Sequence, residues 1–592
     1  MKKLDMNWSL SELYSGFESK EYLDDLLKLK ELFDEVEKWE EKELKSLDNS
    51  KEKIEMFIAY NIKLRKVSGK ISAYSRLKNS ADSSNDIAKK EMSKVNNIMS
   101  NMTKVNVKFT KWISKINGID EIIKQSSIIE EHKFIIKEMI KKESHMLSEH
   151  KEIILSKMSL TGSNSWMNLR NELTANHMVE IDLGQGIQRK SINEVKNLLY
   201  SKDKNEREKA FYSELESNRN IEIGVAASLN GLKGEVLTLC DIKGYSSPLE
   251  KTLIDSRMDE EILNNMLQVI EESLPKFREY FLKKSKLLGN EGKMPIYDRL
   301  APVGKNNKKY TYEGAMEFIV KHFSSFSRNM GELAKTAFEN RWIDAEQRGG
   351  KRGGAFCSNL HCIGQSRILS SFNGNFKNVN TLAHELGHAY HGYVLSKESI
   401  LNTSYTMPLA ETASIFAETL IVNAALKEAN KEETISILDA ELTNASTVIV
   451  DIYARFLFEK EFFNKRKQGD LSVNEIKDLM IWAQKEAYGD AIEENTFDPY
   501  AWIHKVHYYY AERNFYNFPY AFGLLFSKGL YSEYLKDGKD FVLKYDNILR
   551  LTGKANVYDV GKYAGIDLHS KKFWRDSMEI VNKTIDKFLE IK

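Results

Sequence analysis

Apolar residues recur along most of this chain at the spacing of an amphipathic helix. Between residues 19 and 45, leucines and Phe33 return every three or four positions among charged residues. The same pattern continues over residues 56–111, with a break near residues 79–85. The chain has seven prolines, and none lies in the first 247 residues. The pattern therefore predicts a mostly α protein built from packed antiparallel helices.

Two segments interrupt the helical pattern. Residues 185–190 break it, and Ser191 could cap the helix that follows. We therefore predict one helical lobe over residues 1–190 and a second unit over residues 191–592. The other interruption is glycine-rich and covers residues 340–376, in which residues 355–358 and 367–372 predict short strands.

The glycine-rich segment has two interpretations. Gly353, Gly354 and Ala355 could form a simple turn. They could also border a strand edge that binds a substrate backbone by strand addition. The sequence favours neither interpretation over the other.

Composition narrows the class of protein. The 592 residues include 87 basic and 86 acidic side chains, a net charge of +1, which argues against a nucleic-acid partner. Three cysteines are too few for a disulfide framework and indicate a reducing compartment. We see no apolar run of about 18 residues that would span a membrane. The start of the chain also lacks the apolar run of a secretory signal. These features predict a soluble cytoplasmic protein.

The motif that bears chemistry is His384-Glu385-Leu-Gly-His388, within a segment predicted to be helical from residue 379 to 396. Asn380 and Thr381 are candidate helix starters. Residues four apart share a helix face, so the two imidazoles could bind one zinc ion, with Glu385 placed as a general base. A random chain of this length would show the pattern roughly 2% of the time. The alternative is an amphipathic helix with two surface histidines.

A third zinc ligand is predicted at Glu411. Catalytic zinc sites have three protein ligands, and no cysteine pair here has zinc-finger spacing. Pro408 suits the first turn of a second helix that would carry Glu411. Glu418, seven residues on, either hydrogen-bonds a ligand histidine or lies on a solvated face. This His/His/Glu set favours zinc, although manganese or cobalt could support activity in vitro.

These residues resemble the oligoendopeptidase F branch of the thimet-oligopeptidase-like zinc peptidases. The resemblance rests on Thr-Leu-Ala-His-Glu-Leu-Gly-His-Ala-Tyr-His at residues 381–391, followed by Leu-Ala-Glu-Thr-Ala-Ser at residues 409–414. Other segments that agree lie at residues 8–14, 161–166, 342–346, 350–357 and 515–523. The resemblance thus covers nearly the whole chain, in order.

The resemblance implies a fold, a site and a substrate class. The fold would be a mostly helical, two-lobed zinc peptidase with a deep substrate channel and a small β-sheet beside the metal-binding helix. Residues 191–592 would form the catalytic domain. The enzyme would hydrolyse internal bonds of short unfolded peptides, exclude folded proteins and serve peptide turnover.

The same resemblance assigns roles in the site. One zinc ion would be held by His384, His388 and Glu411, with Glu385 as base. His507 and either Tyr516 or Tyr520 would stabilise the oxyanion. Tyr508, Tyr509, Tyr510 and His504 are weaker candidates, and core packing is the alternative for each aromatic residue.

Two other functions stay open at this stage. The chain could be a non-catalytic helical scaffold that kept the zinc motif. It could also be a zinc peptidase of a different class that acts on proteins. Cleavage preference and oligomeric state are not readable from the sequence.

Overall fold

The computed structural model describes residues 3–304 and 308–591, and the fold is 70% helical with small sheets. Eight helices in the described part of the chain precede the first strand. They are α1 (Lys20–Glu43), α2 (Ser50–Ala81), α3 (Asp86–Ile113), α4 (Ile119–Lys124), α5 (Ser127–Glu131), α6 (Lys133–Glu143), α7 (Glu149–Thr161) and α8 (Ser163–Ala175).

The predicted helices of the N-terminal region are confirmed. Helix α1 begins after Ser19, whose side chain accepts a hydrogen bond from the Tyr22 backbone amide at 3.3 Å. The predicted break falls between the end of α2 and the start of α3, at residues 82–85. The apolar faces of these helices form one core, which Leu360 and Leu369 of a later sheet join. The N-terminal helices therefore pack directly against the sheet near the predicted metal helix.

The rest of the chain is also mainly helical. Its first group of helices is α9 (Ile192–Leu198), α10 (Lys204–Asn218), α11 (Glu222–Ile242), α12 (Pro248–Asp255), α13 (Glu260–Leu287), α14 (Tyr312–Phe326) and α15 (Arg328–Glu339). The second group is α16 (Phe376–Leu395), α17 (Met407–Ala410), α18 (Thr412–Glu428), α19 (Lys431–Ser446), α20 (Ile452–Arg466), α21 (Val473–Tyr488), α22 (Phe518–Asp537), α23 (Phe541–Leu551), α24 (Val557–Tyr563) and α25 (Lys571–Leu589).

A two-stranded hairpin lies where the helical pattern breaks. Strands β1 (Met178–Asp182) and β2 (Ile187–Ser191) pair antiparallel. Ser191 then caps α9 in a reciprocal capping box with Glu194, which confirms the predicted cap. Trp166, which precedes this hairpin, already packs against the large core of the second unit. The domain division at residue 190 stays a prediction.

The second sheet has three strands, ordered β3 (Ile343–Asp344), β5 (Gln365–Leu369) and β4 (Phe356–Leu360). Strand β3 runs parallel to β5, and β4 runs antiparallel to it. The two predicted strands are confirmed, whereas β3 was not predicted because two residues carry no periodic signal. Strand β4 is an edge of this sheet, and edge strands can accept an added strand.

One segment of the described residues, Met407–Glu428, has the length and hydropathy of a membrane span, although none was expected. Of its most apolar 18-residue window, 67% is buried inside the protein. It also carries Glu411 and Glu418. A buried core helix meets the same criterion, and that is the role of this segment here.

Candidate active site

The histidine motif lies in the middle of α16. The helix begins at Phe376, because the side chain of Asn375 accepts a hydrogen bond from the Asn378 backbone amide at 2.8 Å. The prediction that Asn380 or Thr381 starts the helix was therefore wrong. Both lie within the first two turns, because an earlier asparagine already caps the helix.

His384 and His388 face the same point, as their spacing predicted. Their ring centroids are 4.8 Å apart, with the rings nearly perpendicular. Glu411 Oε2 lies 3.4 Å from His384 Nε2 and 3.5 Å from His388 Nε2. One ligand atom from each of the three residues falls within 4.8 Å of the others. Glu411 thus meets two histidines that precede it in the sequence by 27 and 23 positions.

This cluster fits a zinc ion. Ligands of tetrahedral zinc at 2.0–2.2 Å lie about 3.3–3.5 Å from one another, close to the two separations that Glu411 makes. The donor set is two neutral imidazoles and a carboxylate, which zinc accepts readily. The three side chains are 18–25% exposed, so solvent and substrate can reach the point where they converge.

Glu411 reaches the histidines from a break between two helices. The predicted single helix starting at Pro408 was wrong in this detail, because α17 ends at Ala410 and α18 begins at Thr412. Glu411 itself leaves helical geometry, with φ −88° and ψ 2°. The Ser414 hydroxyl donates a hydrogen bond to Glu411 Oε2 at 2.7 Å. That bond fixes the carboxylate oxygen that faces both histidines.

Close packing at Gly387 makes this approach possible. A Cβ atom at Gly387 would lie 2.5 Å from the carbonyl oxygen of Ala413 and 2.6 Å from Ser414 Cα. Both are backbone atoms of the α18 start, so they cannot turn aside as a flexible side chain would. The glycine inside α16 therefore lets the backbone that follows Glu411 come close to the turn that carries His384 and His388.

Gly387→Ala is expected to destabilise the protein and weaken zinc binding. Alanine is intrinsically the better helix former by about 1 kcal/mol, but overpacking here should cost about 1–3 kcal/mol. Thermal unfolding and zinc titration would measure both effects. Gly69→Ala is the matched control, because Gly69 lies inside α2 and a Cβ there meets nothing within 4 Å in the described structure. Equal stability changes in the two variants would contradict the packing argument.

Glu418 holds His384 in place. His384 Nδ1 and Glu418 Oε1 form a hydrogen bond, and Asn380 Nδ2 donates to Glu418 Oε2 at 2.8 Å. With Nδ1–H donating to the carboxylate, Nε2 faces Glu411 and becomes a metal ligand once it gives up its own proton. Burial lowers the pKa of His384, but the bond and the charge of Glu418 outweigh it and raise that pKa to about 9. These contacts match the first of the two interpretations given for Glu418.

Glu418→Gln is expected to lower zinc affinity about 10- to 100-fold, the usual effect of losing a carboxylate behind a ligand histidine. The amide keeps the shape but removes the charge that orients His384. Competition with a fluorescent chelator would measure the change. Glu428→Gln is the control, because Glu428 ends the same helix and pairs with Lys321 instead. A zinc affinity unchanged by Glu418→Gln would contradict the orienting role.

Glu385 is buried beside the ligands. Glu385 is only 5% exposed, and its Oε2 atom has no hydrogen-bond partner among the residues that the structure describes. Burial raises the pKa of Glu385 to about 7; His384 lowers it, and Glu411 and Glu418 raise it further. An unpartnered buried carboxylate next to the three candidate ligands, His384, His388 and Glu411, is available to exchange a proton with a bound reactant.

His507, Tyr516 and Tyr520 form an aromatic cluster near Glu411. The His507 and Tyr516 ring centroids are 4.7 Å apart, and those of Tyr516 and Tyr520 are 6.1 Å apart. Burial raises the pKa of Tyr520, and the charges of Tyr516 and Glu411 raise it further. A Cβ at Gly523 would lie 3.0 Å from Glu411 Cβ. The start of α22 therefore brings Tyr520 next to the His384/His388/Glu411 group.

The tautomer of His507 is set by its neighbour. His507 Nδ1 lies 2.8 Å from Asn517 Oδ1, which also accepts a hydrogen bond from Arg455 at 3.3 Å. Nδ1 therefore carries a proton, and burial lowers the pKa of His507. A neutral His507 would present Nε2 as an acceptor, and only the imidazolium would donate from Nε2.

Of the weaker candidates, Tyr510 joins the cluster, with its ring centroid 5.8 Å from that of Tyr516, whereas the other three lie elsewhere. Tyr508 and Tyr509 are buried core residues, with exposed fractions of 1% and 0%. His504 Nε2 pairs with Asn218 Oδ1 at 2.8 Å and the His504 ring stacks on His177. Tyr508, Tyr509 and His504 therefore have packing roles, which was the alternative given for them from the sequence.

The glycine-rich segment leads into the edge strand. A Cβ at Gly353 or Gly354 would meet open space within the described structure, and Gly354 has φ +85°. Asn359 of β4 donates to the His388 carbonyl at 3.2 Å, which fixes the strand against the zinc helix. Ala355 immediately precedes this strand. The segment thus lies beside the helix that carries His384 and His388. This position is compatible with a simple turn and with a strand edge that binds substrate.

A cleft of about 1060 Å³ opens next to the aromatic cluster. Helices α8, α11 and α12 supply one wall, and the segments around Tyr405 and Tyr516 supply another. Pockets of 300–1,000 Å³ hold small ligands, so this cleft could take a peptide segment.

The contacts that Asn380, Ser414 and Asn517 make in the site were not predicted from the sequence. Asn380 is one helical turn before His384, and Ser414 is one turn after Glu411, so helix spacing could have indicated both. Asn517 had no such signal. Its contact with His507 depends on a loop of ten residues whose path no periodicity determines.

Two family models match this chain. The model of peptidase family M3 matches residues 197–580, and the model of oligopeptidase F matches residues 117–177. Oligopeptidase PepF of Bacillus subtilis is 24% identical over all of this chain and 88% of its own length. The oligoendopeptidase F homolog of Borreliella burgdorferi is 24% identical over 99% of this chain and 98% of its own.

Solved structures share the fold. A protein from Chlamydophila abortus superposes with a TM-score of 0.85 at 20% identity, covering 99% of this chain and 98% of its own. Oligoendopeptidase-F from Enterococcus faecium gives a TM-score of 0.70 at 20% identity, covering 97% of this chain and 99% of its own. The mostly helical architecture with small sheets is therefore confirmed.

Proposed function

Because the chain belongs to peptidase family M3 and is a metalloendopeptidase of the oligoendopeptidase F type, we propose that it hydrolyses internal bonds of short unfolded peptides with one zinc ion. The observation that carries this proposal is the convergence of His384, His388 and Glu411, with Glu385 buried beside them. A zinc ion held there supplies a Lewis acid, which acidifies water and polarises a carbonyl group.

The protein's own residues then move the proton. Glu385 accepts a proton from the attacking water and later donates it to the leaving amine. Glu385 Oε2 has no hydrogen-bond partner within the described residues, so this oxygen is free to take up and release the proton. Glu418 meanwhile keeps the His384 imidazole in the tautomer that binds metal. No covalent acyl-enzyme is needed.

The aromatic cluster stabilises the carbonyl oxygen. Tyr516 and Tyr520 carry hydroxyl donors, and each well-placed donor to a developing oxyanion contributes about 3–4 kcal/mol. Tyr520 lies one helical turn before Gly523, whose backbone comes close to Glu411, so it is well placed for this role. His507 can stabilise that oxygen only as the imidazolium, because the neutral ring with its proton on Nδ1 presents an acceptor at Nε2.

The substrate lies along the edge strand. We propose that Gly353, Gly354 and Ala355 leave room for a peptide backbone, which pairs with β4 by strand addition. The cleft beside Tyr516 receives the remainder of the peptide. All three cysteines are free, which agrees with the proposed cytoplasmic location in peptide turnover.

The test is cleavage of a library of quenched fluorescent peptides of about 6–15 residues, lengths that suit a cleft of this size. Casein, an unfolded protein, and a folded protein of known sequence are assayed beside the library. Cleavage of peptides alone, lost with chelator and restored by zinc, is the expected result.

Two outcomes would refute the proposal. Efficient digestion of casein together with the peptides would indicate a zinc peptidase that acts on proteins. Absence of cleavage by a folded, zinc-loaded chain would indicate a scaffold that kept the metal site.

A further inference from the structure

The loop that carries Tyr516 contains a strained residue. Phe515 has φ +50°, in the left-handed region that side chains rarely adopt. Its ring is buried and packs against Phe456 and Phe463 at centroid distances of 5.3 and 5.8 Å. A bulky residue stays in this conformation only if its surroundings hold it there. The direction of the next residue, Tyr516, depends on that conformation.

A buried ion pair lies directly behind this loop. Lys233 of α11 and Glu459 of α20 are joined by a 2.7 Å contact between Nζ and Oε1. The two side chains are 1% and 3% exposed. Lys233 Nζ also lies 4.8 Å from the centre of the Phe463 ring. The pair is thus fully inside the protein, where charges are retained only with several partners.

The remaining partners of both charges are loop residues. Glu459 Oε2 accepts the Phe515 backbone N–H at 3.0 Å. Lys233 Nζ donates to Asn514 Oδ1 at 2.8 Å. Thr252 adds a bond from its hydroxyl to the Asn514 carbonyl at 2.9 Å. The two residues immediately before Tyr516 are therefore held from three different helices, α11, α12 and α20.

We propose that Lys233 and Glu459 are positioning residues that keep Phe515 in its left-handed conformation and so aim Tyr516 at the reacting carbonyl. The inference rests on the proposed function. It assigns the pair a role in orientation, because a buried ion pair by itself often contributes no more stability than apolar residues of the same size.

The chain offers a closely matched control pair. Lys284 and Asp439 are also buried, at 0% and 5% exposure, and their Nζ and Oδ1 atoms are 2.9 Å apart. Asp439 Oδ2 likewise accepts a backbone N–H, that of Val303, at 2.9 Å. This pair joins α13 to α19 and contacts no residue of the proposed site. Glu459→Gln and Asp439→Asn therefore make the same chemical change at two places.

The experiment compares kcat, KM, zinc content and amide hydrogen exchange in these two variants. Glu459→Gln should lower kcat by about 100-fold, the scale of a misplaced catalytic group, with KM and zinc content unchanged. The Phe515 amide should exchange at least about tenfold faster, because its acceptor is weakened. Asp439→Asn should leave kcat and the exchange of this loop unchanged.

A double-mutant cycle with Tyr516→Phe separates positioning from general damage. If Glu459 acts through Tyr516, Glu459→Gln should lower kcat much less in the Tyr516→Phe background than in the wild type. An equal loss in both backgrounds would overturn the proposal, and so would an equal loss of kcat in Asp439→Asn.

A milder variant serves if Glu459→Gln does not fold. Asn514→Ala leaves the ion pair and its bond to the Phe515 amide intact, and removes the bond from Lys233 and the 3.2 Å bond that Asn514 Nδ2 donates to the Ala511 carbonyl. It should therefore give a smaller loss with the same pattern in the cycle. Failure of the proposed function would look different, since the wild type would then cleave no peptide. Slow exchange of the Phe515 amide, lost in the variants, would in that case still show that the pair anchors the loop.

Discussion

Glu385→Gln is expected to lower kcat by about 10²- to 10⁴-fold, the usual contribution of a positioned general base. This corresponds to about 3–5 kcal/mol in the activation barrier. The amide has nearly the shape of the carboxylate but cannot take a proton from water. Zinc binding should stay unchanged, because Glu385 is outside the cluster of His384, His388 and Glu411.

Stability provides an independent check on the same variant. Glu385 is 5% exposed and its Oε2 lacks a hydrogen-bond partner in the described structure. A neutral amide at this place avoids the desolvation of a charge, so thermal stability should not fall. Steady-state kinetics, metal analysis and thermal unfolding would together test the prediction. A variant that keeps zinc and retains wild-type kcat would contradict the base assignment.

Glu411→Gln is expected to lower zinc affinity strongly. Loss of a residue that only hydrogen-bonds a ligand lowers affinity roughly 10- to 100-fold, and loss of the ligand itself should cost more. The carboxylate contributes the one negative charge among the three predicted ligands, and an amide oxygen is a weaker ligand for zinc. Activity at limiting zinc should fall in parallel and recover in part when zinc is raised. Chelator competition and activity titrations would measure both quantities.

Ser414→Ala is the control for this second prediction. It removes the 2.7 Å hydrogen bond to Glu411 Oε2 but leaves all three ligands in place. Its effect on zinc affinity should therefore be much smaller than that of Glu411→Gln. If the two variants bound zinc equally well, and as tightly as the wild type, Glu411 would not be a ligand.

Much of the N-terminal region was predictable from local pattern. Helix α1 begins after Ser19 and the break between α2 and α3 falls within the predicted residues 79–85, because amphipathic spacing and capping residues act over a few positions. The start of α16 was predicted wrongly. Asn375, Asn380 and Thr381 are all acceptable caps, and only the path of the preceding chain decides which of them is used.

Within the site, the sequence determined what lies on one helix. The spacing of His384 and His388 fixes their common face, and Glu385 follows from its place between them. Gly387 could be marked as a position of close approach from the sequence, because glycine is costly inside a helix. That its partner is the backbone of Ala413 and Ser414 is a tertiary fact.

The sequence by itself therefore determined the helical class and the common helix face of His384 and His388, predicted Glu411 as the third ligand and, through resemblance, indicated the family. The tertiary structure decided the break at Glu411, the tautomer of His507 and the anchoring of Phe515 by Lys233 and Glu459. The physical reason is range. Helix periodicity relates residues three and four apart, whereas Lys233 and Asn514 are 281 positions apart and are brought together only by the fold of the core.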